Sequence, residues 1–72
     1  MRSMFTVEEV SEMLDMTKKQ IESEMNGGDL GFTYDDGVKK ITLYDLEKYM
    51  GGDQALKITR EFLRKKSEQE QD

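Results

Sequence analysis

Apolar residues enter the chain in short clusters, and three of those clusters are introduced by the same polar device. Thr6-Val7-Glu8-Glu9 is a capping box, in which the threonine hydroxyl and the Glu9 carboxylate each satisfy an unpaired amide of a starting helix. Phe5 and Val10 flank it at the two positions of a hydrophobic staple. Thr17-Lys18-Lys19-Gln20 repeats the device between Met16 and Ile21, and Thr42-Leu43-Tyr44-Asp45 gives a looser third version between Ile41 and Leu46. These starts predict helices over about Val7–Leu14, Lys18–Asn26 and Leu43–Met50. Val10, Met13 and Leu14 form the inner stripe of the first, and Ile21 and Met25 that of the second. The second helix ends at Gly27-Gly28, residues suited to a left-handed cap.

The period then changes. Leu30, Phe32 and Tyr34 alternate with Gly31 and Thr33, which predicts a strand. Asp36-Gly37 is a tight-turn dipeptide, and Val38–Thr42 returns with β-branched residues, completing a two-stranded hairpin. After the third helix comes Gly51-Gly52, and Asp53 is placed to cap a last helix over about Gln54–Lys66. The polar stretch Ser67–Asp72 is expected to fray. Only Asp15 and Met16 separate the first two helices, so the pair is a helix-turn-helix candidate. The expected fold is mainly α with a small β-hairpin: a winged helix-turn-helix over residues 1–52, an amphipathic helix over 53–67 that packs back or dimerises, and a polar tail over 68–72.

Composition narrows the chemistry. The chain has 72 residues, no cysteine and no histidine, so one small domain is expected, without disulfides or the usual zinc ligands. Nucleophile–base catalysis lacks its commonest base, and neither an enzyme nor a cofactor is expected. Asp29, Asp35 and Asp36 do not follow calcium-loop spacing, and neither a phosphate-binding loop nor a dinucleotide fingerprint is present. No run approaches the roughly 20 apolar residues that span a bilayer. Glu8 and Glu9 follow the start too closely for a signal-peptide core, so a cytoplasmic location without membrane contact is expected.

In order and spacing the chain resembles the excisionase-like and MerR-like DNA-binding domains. The residues that carry the resemblance are Phe5-Thr6-Val7-Glu8-Glu9-Val10, Leu14-Asp15-Met16-Thr17, Gln20-Ile21 and Gly28-Asp29-Leu30. They continue with Asp36-Gly37-Val38-Lys39-Lys40-Ile41 and Tyr44-Asp45-Leu46, so the match covers about Met4 to Met50. The resemblance implies that the second helix enters the major groove of double-stranded DNA while the hairpin, as a wing, touches the backbone or minor groove. Carried over by position, Thr17, Lys18 and Lys19 open the recognition helix, Ser23 lies on its next turn, and Lys39 and Lys40 sit on the wing. Such domains commonly carry arginine where this chain has Glu22 and Ser23, and a turn glycine where it has Asp15.

Charge opens a second reading. The chain carries a net −5, and residues 1–30 hold three basic against seven acidic side chains, a net of −4. If Lys18, Lys19, Lys39 and Lys40 each met a phosphate, log affinity would fall with log salt at a slope of only about −3.6. A monomer should then bind DNA weakly, whereas a dimer on two half-sites would roughly double the slope. The alternative is a protein-interaction module of the chaperone-modulator kind, whose acidic second helix, with Glu22 and Glu24, binds a basic protein partner. More plainly, those two glutamates form a solvated face. In the last helix Leu56, Phe62 and Leu63 are candidates for a homodimer seam, and Arg60, Arg64, Lys65 and Lys66 for a phosphate-tracking face. Met13, Met16 and Met25 are expected to fill the core, and Tyr34, Tyr44 and Tyr49 to line its rim.

Overall fold

The structure is a computed structural model that describes residues 1–70. Its elements run β1 (Met4–Thr6), α1 (Val7–Leu14), α2 (Lys18–Asn26), β2 (Thr33–Asp35), β3 (Val38–Thr42), α3 (Leu43–Met50) and α4 (Gly52–Gln69). The fold is therefore mainly helical, with a small antiparallel sheet of three strands in the order β1-β3-β2.

All three capping boxes are closed. The Thr6 hydroxyl accepts from the Glu9 amide at 3.1 Å while the Thr6 amide donates to the Glu9 carboxylate at 3.0 Å. Thr17 and Gln20 do the same at 3.0 and 2.8 Å, and Thr42 and Asp45 at 3.1 and 2.9 Å. Asp45 compensates for its shorter side chain by taking the Thr42 hydroxyl as a second donor, also at 2.9 Å. Between α1 and α2 the chain turns through Asp15 in the left-handed region (φ 54°, ψ 46°), which aspartate tolerates better than most residues. The Ser11 hydroxyl closes this turn by donating to the Met16 carbonyl.

The expected hairpin gains a third strand. β1 pairs with β3 through Met4↔Thr42, Phe5↔Ile41 and Thr6↔Lys40. Phe5 thus serves as a staple residue and as a fully buried strand residue opposite Ile41. The β2 strand starts later than its alternation predicts. The Asp29 and Leu30 amides both donate to the Glu24 carbonyl, at 3.0 and 3.1 Å, so Leu30 belongs to the end of α2 and plugs the core there. Asp36 and Gly37 both take positive φ (56° and 79°), the two-residue hairpin turn that Asp-Gly favours.

Asp53 does not cap α4. Gly51 (φ 92°, ψ 146°) reverses the chain in one residue, in a region essentially restricted to glycine, and α4 begins immediately with no side-chain cap. The helix also runs further than expected: residues 67–69, assigned to a fraying tail, are its last turn, while residues 71–72 of that tail lie outside the described residues.

One core unites every helix and the sheet: Phe5, Val7, Val10, Met13, Ile21, Met25, Leu30, Ile41, Leu46, Ala55 and Phe62. Phe62, expected at a dimer seam, is buried within this core, its ring meeting Phe5 edge to face at 6.1 Å. It is therefore withdrawn from any intermolecular seam. Leu63 is half-buried against the same cluster, as is Ile58, so α4 packs back on the domain; Leu56 is half-buried but does not join that cluster. Among the described residues, no helix is long and apolar enough to cross a membrane.

Candidate nucleic-acid interface

Helix α2 is held by few apolar contacts. Ile21 and Met25 are its only buried residues, one turn apart and directed toward α1. The rest of its surface is polar. At 3.6 residues per turn, Lys19, Ser23 and Asn26 (i, i+4, i+7) lie opposite that anchor and share one exposed face. Asn26 was not singled out from the sequence, although its spacing from Lys19 was there to be read; its amide can both donate and accept, as adenine readout requires. Thr17 is exposed, but its hydroxyl oxygen already accepts from the Gln20 amide.

Lys18 belongs to a different face. Its ammonium pairs with Glu8 of α1 at 3.2 Å, across the interhelical turn. The Glu8 amide and Lys18 both hold the Glu8 carboxyl below its ordinary value of 4.5. The two neighbouring lysines therefore do not act as one patch. Nor do the two glutamates behave alike. Glu22 is exposed, whereas Glu24 is half-buried and accepts a hydrogen bond from the Tyr49 hydroxyl at 3.0 Å. Glu24 is a tie between α2 and α3 rather than part of a solvated face. Desolvation and the Glu24 carboxylate together push the Tyr49 phenol above its usual value of 10.0.

Strand alternation separates the hairpin lysines as well. Lys39 lies opposite Tyr34 and on the face of Ile41, with its ammonium 5.4 Å from the centre of the Phe32 ring. Lys40 lies on the other face, opposite Thr33 and 3.9 Å from the Asp35 carboxylate. Phe32 and Tyr34 meet edge to face at 5.8 Å. Tyr34 is 64% exposed and Tyr44 63%, so neither lines the rim of the core as expected; Tyr49 does. Asp35 and Asp36 place negative charge at the hairpin tip, Asp35 within reach of Lys40.

The six residues singled out for nucleic-acid contact thus fall on separate faces. Lys19 and Ser23 stand together on the outward side of α2, Thr17 and Lys18 at its N-terminal flank, and Lys39 and Lys40 on opposite faces of β3. Among the described residues, no group of three acidic side chains is placed to hold a metal ion. No protein-family model matches the chain, and neither the curated proteins nor the solved structures include one that matches it.

Proposed function

We propose that this protein is a non-enzymatic, DNA-binding module of the winged helix-turn-helix type, a small regulator or excisionase-like recombination factor. The observation that carries this reading is the exposed polar face of α2. A helix that buries only Ile21 and Met25, and presents Lys19, Ser23 and Asn26 outward, suits insertion into a major groove about 12 Å wide. Base edges would be met by Ser23 and Asn26, and a phosphate by Lys19. Lys40 and Lys39, on the two faces of β3, would meet the backbone from the wing.

The acidic balance limits affinity. Lys18 and Lys40 must exchange their carboxylate partners for phosphates, so each contributes less than a free lysine. A second reading is favoured by one specific observation. Glu22 is exposed beside the groove-facing residues and Lys18 is already paired, which suits an interaction module with a basic protein partner.

Fluorescence anisotropy with a mixed labelled duplex pool, at about 50 and 200 mM salt, separates the two readings. Binding that weakens steeply with salt, and falls in Lys39→Glu/Lys40→Glu, supports the DNA-binding module. Absence of binding at both salts rejects it and makes α2 the surface to mutate in a search for a basic partner.

A further inference from the structure

The chain's positive charge is concentrated away from α2. Residues 57–66 hold five of the eleven lysines and arginines against a single acid, Glu61, in a protein whose net charge is −5. The phosphate-tracking face expected there changes membership in the structure. Lys66 leaves it, its ammonium pairing with Glu12 of α1 at 3.2 Å and lying over the buried Phe62 ring, and Lys65 leaves it too, lining a groove with Glu12 and Met13 of α1. Lys57 joins it. Lys57, Arg60 and Arg64 follow i, i+3, i+7 spacing on the side of α4 opposite Ala55, Thr59 and Phe62, and all three are exposed.

Among the described residues, Lys57 and Arg60 have no carboxylate within ion-pair distance and no ring beneath them. Arg64 pairs only with Glu68 at 2.9 Å, an exposed pair of the kind that contributes little and exchanges readily for another anion. This differs from α2 and the hairpin, where Lys18 and Lys40 are held by acids, Lys39 lies over Phe32 and, among the described residues, Lys19 alone is unpaired.

We infer that the outer face of α4 is a second contact surface for duplex DNA, in which Lys57, Arg60 and Arg64 meet backbone phosphates without reading bases. The two arginines supply the planar fork that suits phosphate and that the hairpin lacks. A phosphate backbone is favoured over an acidic protein by what the face omits. Every exposed residue of α4, from Gly52 to Gln69, is polar, charged or glycine. Protein interfaces depend on buried aromatic or aliphatic anchors, whereas phosphate binding requires only positioned cations.

This inference rests on the DNA-binding reading, and the test keeps the two separable. Duplex anisotropy across a salt series would compare the wild-type protein with two variants: Lys57→Gln/Arg60→Gln/Arg64→Gln, and the charge-keeping Lys57→Arg/Arg60→Lys/Arg64→Lys. Circular dichroism would verify that all three are folded. Loss of three phosphate contacts flattens the salt slope by about 2.7, so a fourfold salt increase weakens the glutamine variant roughly 40-fold less than wild type. The charge-keeping variant retains the wild-type slope. A glutamine variant with an unchanged slope overturns the inference and leaves α2 and the hairpin as the DNA surface. A wild-type protein that binds no duplex overturns both proposals. Poly-glutamate is the second probe: its binding, lost in the glutamine variant while the duplex slope stays unchanged, overturns the inference in favour of an acidic protein surface.

Discussion

Helices α2 and α4 are built from similar residue types and secured in opposite ways. α4 has no side-chain cap, yet it lays Ala55, Thr59 and Phe62 into the core and half-buries Ile58 and Leu63 against it. α2 has a complete capping box, only two buried side chains, and a polar tie from Glu24 to Tyr49. Burial stabilises a helix through the whole fold, whereas caps and surface ties act within a turn or two. α4 should therefore open only when the protein unfolds, and α2 should be able to open alone. The difference suits the proposed roles. A helix that enters a groove can adjust, while one that sets the core cannot.

The largest expected effect tests the α4 side. Phe62→Ala removes a ring packed edge to face on Phe5 and leaves a cavity in a core of eleven residues. It should cost about 3–5 kcal/mol, enough to unfold a domain of this size at ambient temperature. Urea denaturation followed by circular dichroism would show it. A loss below about 1 kcal/mol would mean that α4 is a detachable arm, and the contrast with α2 would collapse.

A smaller effect of opposite sign sharpens the same point. Thr59 is completely buried on α4 and its hydroxyl has no hydrogen-bond partner. Thr59→Val keeps the branched shape and removes the unsatisfied group, so stability should rise by about 1 kcal/mol. Destabilisation on denaturant titration would mean that the hydroxyl has a partner in solution.

The parts of this fold that were legible in the sequence are those set within a few residues. Each capping box closes between positions three apart, and the Asp36-Gly37 turn is decided by two, so all of them follow from local chemistry. The missed parts depend on distance along the chain. Nothing in Met4–Thr6 alone announces a strand, because its partner is β3, more than thirty residues away. Leu30 alternates like a strand residue, but its amide is taken by the Glu24 carbonyl at the end of α2. Phe62 has the spacing of a seam and is instead drawn inward by Phe5. The candidate site was legible as residue types, not as faces. Lys18–Glu8, Lys66–Glu12 and Tyr49–Glu24 all join different helices, and these pairings decide which charges remain free.

A last effect, of similar size, falls on α2 and depends on pH. Tyr49→Phe deletes the hydroxyl donated to Glu24 across α2 and α3 and should cost about 1 kcal/mol. Because the tie is local, hydrogen exchange should quicken at amides of α2 and stay unchanged in α4. Alkaline titration gives the sign independently. The phenol's value is raised in the fold, first by desolvation and then by Glu24, so the folded state favours neutral Tyr49. That contribution is complete below the ordinary value of 10.0 and is lost as pH rises through the higher folded value, where a phenolate would face a carboxylate. Wild type should therefore converge on Tyr49→Phe in stability above about pH 10, whatever the lysines add in common to both. A stability gap that stays constant through that range would show that the Tyr49 hydroxyl does not secure α2, leaving Ile21, Met25 and the capping box to hold the helix by themselves.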